Sequence, residues 1–120
     1  MQDFRKLDVW RRSHGFVLDL YRATAHYPDG EKYGLTGQTR RAAVSIPANI
    51  AEGCGRETQN ELRRFLYLAM GSASELEYHL LLARDLSFLA PDQYQQLANT
   101  LTIIRRQLNA LIQKLASDDR

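Results

Sequence analysis

Residues 91–115 read PDQYQQLANTLTIIRRQLNALIQKL, and their spacing decides the fold class. Tyr94, Leu97, Leu101, Ile104, Leu108, Leu111 and Leu115 recur in alternating steps of three and four, the signature of one apolar face of an α-helix. Pro91 suits a first helical position, and Asp92 complements the positive end of the helix. About 25 residues at ~1.5 Å each make a rod of ~38 Å.

Working outward, the same spacing recurs almost throughout the chain and predicts three more helices. The first starts at Asp8 as N-cap, with a seam through Trp10, Val17 and Thr24 and with Leu20 and Tyr27 offset between them. Pro28-Asp29-Gly30 ends it and opens a short loop. The second runs from near Thr36 to Gly53-Cys54-Gly55, where glycine permits a left-handed cap. Pro47 lies inside it, removes one backbone donor and crowds the carbonyl of Ala43, so a kink is expected. The third opens on the capping box Thr58-Gln59-Asn60-Glu61 and continues to about Leu89, with Leu62, Ala69, Leu76 and Ala83 as its core seam. Four long helices on short connections form an antiparallel up-and-down four-helix bundle, with a helical hairpin swapped between chains as the alternative.

Length and composition agree with one soluble domain over residues 1–120, of which 44% are hydrophobic and 25% charged. Area scaling puts the folded surface near ~6,600 Å² against ~20,000 Å² unfolded, enough burial to dispense with disulfides. Cys54 is the one cysteine, which excludes an internal bridge and cysteine-rich zinc sites. No apolar run reaches the ~18 residues of a membrane span. The stretch Met1–Lys6 lacks a signal-peptide hydrophobic region, so a cytoplasmic, reduced location is expected. Sixteen basic against fourteen acidic residues leave +2, far from the excess of a dedicated nucleic-acid binder.

The third helix carries more apolar surface than one bundle needs. From Leu62 to Leu89, 17 of 28 residues are hydrophobic, where a core-facing stripe of three in seven would use about 12. Tyr67, Ser74, Leu81 and Phe88 repeat every seven residues away from the seam, so Tyr67, Leu81 and Phe88 form a candidate interface between copies of the chain. The second helix is thin. Its Gly37, Ala42, Ala43, Ala48 and Ala51 admit a close neighbour, for which Gly71-Ser72-Ala73-Ser74 is the candidate. Gln38, Arg41, Ser45, Asn49, Glu52 and Arg56 lie along one side of it, and Ser72, Glu75 and His79 lie beside the third helix's seam. Buried polar groups need partners, so an Arg41–Glu75 or Asn49–Ser72 type of pairing makes these a structural network, with a ligand-binding cleft as the alternative.

Catalytic and metal chemistry find no foothold. A di-iron bundle needs Glu from two helices and Glu-x-x-His from the other two, yet the first and fourth helices hold no glutamate. Glu75 and His79 are four apart without a second such pair, and His14 and His26 are twelve apart on the first helix. Cys54 lies at a helix carboxy end, which disfavours a thiolate, and Gly53-Cys54-Gly55-Arg56 lacks the lysine and spacing of a phosphate loop. No enzyme, cofactor, metal or small-molecule substrate is expected. Thirteen arginines against three lysines include four adjacent pairs, one per helix. Arg11, Arg12, Arg40, Arg63, Arg64, Arg105 and Arg106 are therefore candidate phosphate contacts, with solvated faces and intersubunit ion pairs as the alternative.

Tyr33-Gly34-Leu35, Gln38, Arg41-Ala42, Ser45-Ile46-Pro47, Asn49-Ile50-Ala51-Glu52-Gly53 and Arg56 resemble the signature of a bacterial family. The likeness continues at Phe65-Leu66, Ala69, Gly71-Ser72-Ala73 and Glu75-Leu76, and at Leu7, Val9 and Trp10. The family is that of proteins encoded in intervening sequences of 23S ribosomal RNA genes, similar to the accessory variability determinant proteins of diversity-generating retroelements. The resemblance implies a four-helix bundle assembling as a homopentameric ring, with no known catalytic activity for most members. The retroelement relatives are basic barrels that bind nucleic acid and a reverse transcriptase; this chain departs from them in its near-balanced charge. The expected function is a non-enzymatic, self-assembling scaffold or adaptor. The alternative is an accessory protein that binds RNA or DNA through arginines on the ring.

Overall fold

The computed structural model describes residues 2–118, in which four helices follow one another: α1 (Asp8–Thr24), α2 (Leu35–Cys54), α3 (Gln59–Asp85) and α4 (Pro91–Asp118). No strand occurs among the described residues. α1 packs on α2 and α4, and α3 packs on α2 and α4, so the close neighbours of each helix are the two beside it in the bundle. Neighbours run antiparallel: Gly53 of α2 lies against Leu62 and Phe65 of α3, whereas Ser45 meets Ser72. Likewise Arg105 of α4 reaches Glu77 of α3, and Arg84 covers the ring of Tyr94.

The ends of the helices follow from local hydrogen bonding. Thr58 caps α3 by accepting the Glu61 N–H at 3.1 Å, as the capping box requires. Pro91 is the first residue of α4, and the Gln93 side chain reaches back to the Ala90 N–H at 3.4 Å. Asp8 is the first residue of α1 rather than its N-cap; Leu7 holds the cap position, and the carboxylate still sits at the positive end of the helix, paired with Arg11. α2 begins at Leu35, one residue before the expected start, because the Glu31 carboxylate accepts the Leu35 N–H at 3.1 Å.

Two expected stops differ. Gly55 closes α2 with φ −83°, in the right-handed region, so no left-handed cap forms there. The left-handed residue is Ser87, with φ 64°. It ends α3 in a Schellman arrangement: Phe88 N–H donates to Ala83 O (2.8 Å), and Ser87 N–H donates to Arg84 O (3.0 Å). α3 therefore stops at Asp85 rather than near Leu89, and Phe88 leaves its helical register.

The core is aliphatic with few aromatic rings. Phe16, Leu20, Ile46, Ile50, Leu66, Leu76, Leu80, Leu101, Ile104 and Leu108 are essentially inaccessible. Leu62, Ala69, Leu76 and Ala83 line the seam of α3 as read. In α1 the buried set is Val9, Ser13, Phe16, Leu20 and Thr24, while Trp10 and Val17 are half-buried. In α4, Ile112 takes the place of Leu111. Both shifts have one cause: a strict seven-residue repeat drifts ~20° per heptad around a helix of 3.6 residues per turn, so the buried stripe inserts extra steps of four. α2 continues through the buried Pro47 without a break. The molecule measures 48 × 23 × 20 Å, and its radius of gyration of 14.9 Å exceeds the ~13.6 Å of a compact domain this long, as a rod-shaped bundle should.

Candidate functional site

The outward face of α3 is apolar. Tyr67 is 59% exposed and Tyr78 60%, with Leu68 also exposed beside them. Between the tyrosines lie Gly71, with no atom within 4 Å of where a Cβ would stand, and the exposed Ser74. Leu81, expected on this stripe, is half-buried and lines a groove of about 360 Å³ between α3 and α4 with Tyr78, Tyr94 and Ala98. Phe88, expected on the same stripe, is a correction. The turn at Ser87 sends it inward, where its ring lies 5.6 Å from that of the buried Tyr27. Tyr78, which the heptad count omitted, takes its place, and the exposed Leu68 lies on the flank of that stripe. Their signal is the surplus of apolar residues in the third helix.

A second apolar and basic surface lies between α1 and α2. Tyr21, Tyr33, Gly37, Arg40, Arg41 and Val44 border a groove of about 680 Å³. Tyr33 is 89% exposed, with the Lys32 ammonium 5.6 Å from its ring centre. The Arg40 guanidinium lies 4.4 Å from the Tyr21 ring and donates to Thr24 Oγ1 and the Tyr21 carbonyl. Among the described residues Arg41 forms no ion pair or hydrogen bond. Nothing in the helical periodicity points to this groove, because Tyr33 belongs to the connection before α2.

The polar residues of α2 and α3 come together as a surface seam rather than a buried network. Ser45 and Ser72 hydroxyls meet at 2.7 Å, and Asn49 donates to the Ser45 carbonyl and hydroxyl at 2.8 and 2.9 Å. Neither expected pairing, Arg41 with Glu75 or Asn49 with Ser72, is made among the described residues; Ser45 stands between the latter two. Gln38, Arg41 and Glu52 are exposed, and Glu52 pairs with Arg56 beyond the end of α2. Glu75 faces Nε2 of the buried His79 at 3.4 Å. Burial holds the His79 pKa below the usual imidazole range, and the Glu75 carboxylate only partly opposes it.

The arginines are dispersed. Arg11 pairs with Asp8, Arg64 with Glu61 and Arg105 with Glu77; Arg12 donates to Gln107 and Arg63 to Asn60. With Arg40 tied to α1, six of the seven candidate phosphate contacts are engaged among the described residues, leaving Arg106. Exposed pairs of this kind are weak, but each places an acceptor beside its guanidinium.

The remaining reactive groups are separated. His14 stacks on Trp10 at 5.1 Å, while His26 borders a polar groove of about 660 Å³ between α1 and α4 with Asp19, Arg22 and Gln96. Cys54 is buried, which raises its thiol pKa, and its carbonyl accepts the Gln2 N–H. No group of three or more His, Cys, Asp or Glu side chains gathers among the described residues. No described helix is long and apolar enough to cross a membrane.

Comparison with known proteins agrees with this architecture. A protein of unknown function from the S23 ribosomal protein family of Bacteroides thetaiotaomicron shares the fold with a TM-score of 0.81 and 24% sequence identity, over 88% of this chain and 95% of that one. No curated protein matches the sequence. The pattern of the 23S rRNA-intervening sequence proteins matches residues 5–110, a span that takes in α1, α2, α3 and most of α4. The chain belongs to the 23S rRNA-intervening sequence protein family.

Proposed function

We propose that this protein is a non-catalytic building block, a cytoplasmic scaffold or adaptor that assembles with copies of itself into a ring. The observation that supports this most is the outward face of α3, where Tyr67 and Tyr78 stand exposed along one side, with Leu68 exposed on the flank about 100° around the helix. Rings of that size left in water forgo burial worth ~1.5–3 kcal/mol each, and contiguous apolar patches on soluble chains usually mark a contact surface. Five subunits is the number the family resemblance implies; the exposed face argues for more than one. Nucleic-acid binding ranks behind, since the arginines that would carry it are mostly engaged and scattered over four helices.

Light scattering on the purified protein at micromolar concentration is the test. A pentamer has a mass of about 69 kDa, five times 13.8 kDa. A single species at the monomer mass sinks the proposal. Tyr78→Glu should dissociate the assembly while leaving helicity intact, because Tyr78 is 60% exposed and stands outside the core.

A further inference from the structure

We infer that the contact between copies is head-to-tail, with the α3 ridge around Tyr78 of one copy seated in the α1–α2 groove around Val44 of the next. This rests on the self-assembly reading and specifies which surfaces meet. The two surfaces differ in shape and in charge. The groove is concave, about 680 Å³, and bordered by Tyr21, Tyr33 and Val44. The ridge is a single helix face from which Tyr67 and Tyr78 project.

Residues 32–51 contain Lys32, Arg40 and Arg41 and no acidic residue, whereas residues 65–83 contain Glu75 and Glu77 and neither lysine nor arginine. Pairing groove with groove would set Arg41 and Lys32 against their own copies, and pairing ridge with ridge would set Glu75 against its own, Glu77 being already paired with Arg105. Pairing groove with ridge brings opposite charges together. Like charges desolvated across an interface repel without screening by water, so the unlike pairing is selected.

Two further observations agree. Arg41 has no partner among the described residues, and Glu75 faces only the imidazole of His79, so both are free to meet a neighbour. They border one hollow between α2 and α3 without forming an ion pair there. The Ser45–Ser72 contact also sets α2 and α3 in a register that puts Arg41 at the level of Leu76, beside Glu75, and the groove's stretch from Gly37 to Val44 at the levels of Leu80 to Ala73, which include that of Tyr78. Rotation about an axis parallel to the helices therefore brings one surface to the other without sliding. A contact between two unlike faces repeats around a closed ring, whereas a contact of a face with itself stops at a dimer.

The experiment breaks each face separately and then mixes the products. Val44→Glu spoils the groove, and Tyr78→Glu spoils the ridge. Each variant alone should be monomeric, since every contact needs one intact groove and one intact ridge. Mixed in equal amounts they retain one good groove and one good ridge between them, and should form a 1:1 complex of about 28 kDa, twice 13.8 kDa, and nothing larger. A mixture that stays monomeric overturns the inference, as does either variant alone still forming a dimer. Wild type that is itself monomeric overturns the self-assembly reading instead. Far-ultraviolet circular dichroism confirms that each variant is folded. Should either fail to fold, exposed charges serve in its place: Arg41→Glu should raise the dissociation concentration at least tenfold, and adding Glu75→Arg in the same chain should restore it. Failure of the second change to restore assembly counts against the head-to-tail contact.

Discussion

Ser87 carries the positive φ that ends α3, and it is a serine where such positions favour glycine. An L side chain in the left-handed region costs roughly 1–2 kcal/mol. Ser87→Gly should therefore raise stability by about 0.5–1 kcal/mol, less than the full cost because glycine also gains entropy in the unfolded chain. Chemical denaturation measures it; a loss of stability would mean that the serine hydroxyl contributes to the turn. His79 answers to pH. Its folded pKa lies below the unfolded value near 6.5, because burial disfavours the imidazolium. The unfolded chain thus binds more protons between those two values, so stability is fully present above about pH 6.5 and is lost as pH falls through the folded pKa. Melting temperature should drop on going from pH 7 to pH 5, and His79→Gln should flatten that part of the profile. An unchanged slope in the variant would assign the acid sensitivity to other groups.

At the scale of the helices, α2 and α3 approach closely where Gly53 lies. A Cβ there would stand 2.9 Å from Leu62 Cδ1 and Phe65 Cβ and 3.3 Å from the Leu62 carbonyl. The Leu62 methyl can give way, but Phe65 Cβ is fixed to its backbone. Gly53→Ala should cost ~1–3 kcal/mol through overpacking. Gly15→Ala is the control, since no atom lies within 4 Å of its Cβ position and alanine favours the helix by roughly 0.5–1 kcal/mol. Equal effects of opposite sign would support the close approach; a neutral Gly53→Ala would show that the helices can part at no cost. Most of this level is readable without coordinates. The steps of three and four locate all four helices, and Thr58 and Pro91 mark two starts to the residue. The end of α3 is not readable, because Leu86-Ser87-Phe88-Leu89 offers no glycine, and hydrophobicity alone continues the helix through it.

For the whole molecule, the decisive quantity is how charge is distributed. The chain carries +2 overall, and the adjacent arginines sit on four different helices, mostly beside acidic or amide partners. Neutralising phosphates with dispersed, already engaged guanidinium groups gives weak attraction that salt removes by competing for the same charges. Binding to structured RNA or duplex DNA at physiological salt should be no tighter than ~10⁻⁴–10⁻⁶ M in a fluorescence titration. Submicromolar binding that survives that salt, and is lost in an Arg63→Ala, Arg64→Ala double variant, would instead favour the accessory-protein alternative.

The all-helical class, the number of helices and the seam of α3 are legible without coordinates, because helical periodicity and capping are local and are written in residues three or four apart. The sequence also carried the surplus apolar surface of α3 and the family's residue pattern between Tyr33 and Leu76. Which apolar residues remain outside was decided by the tertiary structure. Phe88 and Tyr78 look alike in a heptad count, yet a left-handed Ser87 turns one onto Tyr27 while the other stays in water. The α1–α2 groove was likewise beyond the sequence. It needs Tyr33 from a connection, Tyr21 from one helix and Arg41 from another to be brought within reach, and that proximity follows only from packing α1 against α2. The polar stripe of α2 was visible, but whether Arg41 would find Glu75 depended on how the two helices turned toward each other. They turned so that Ser45 met Ser72 and the charged pair was left facing outward.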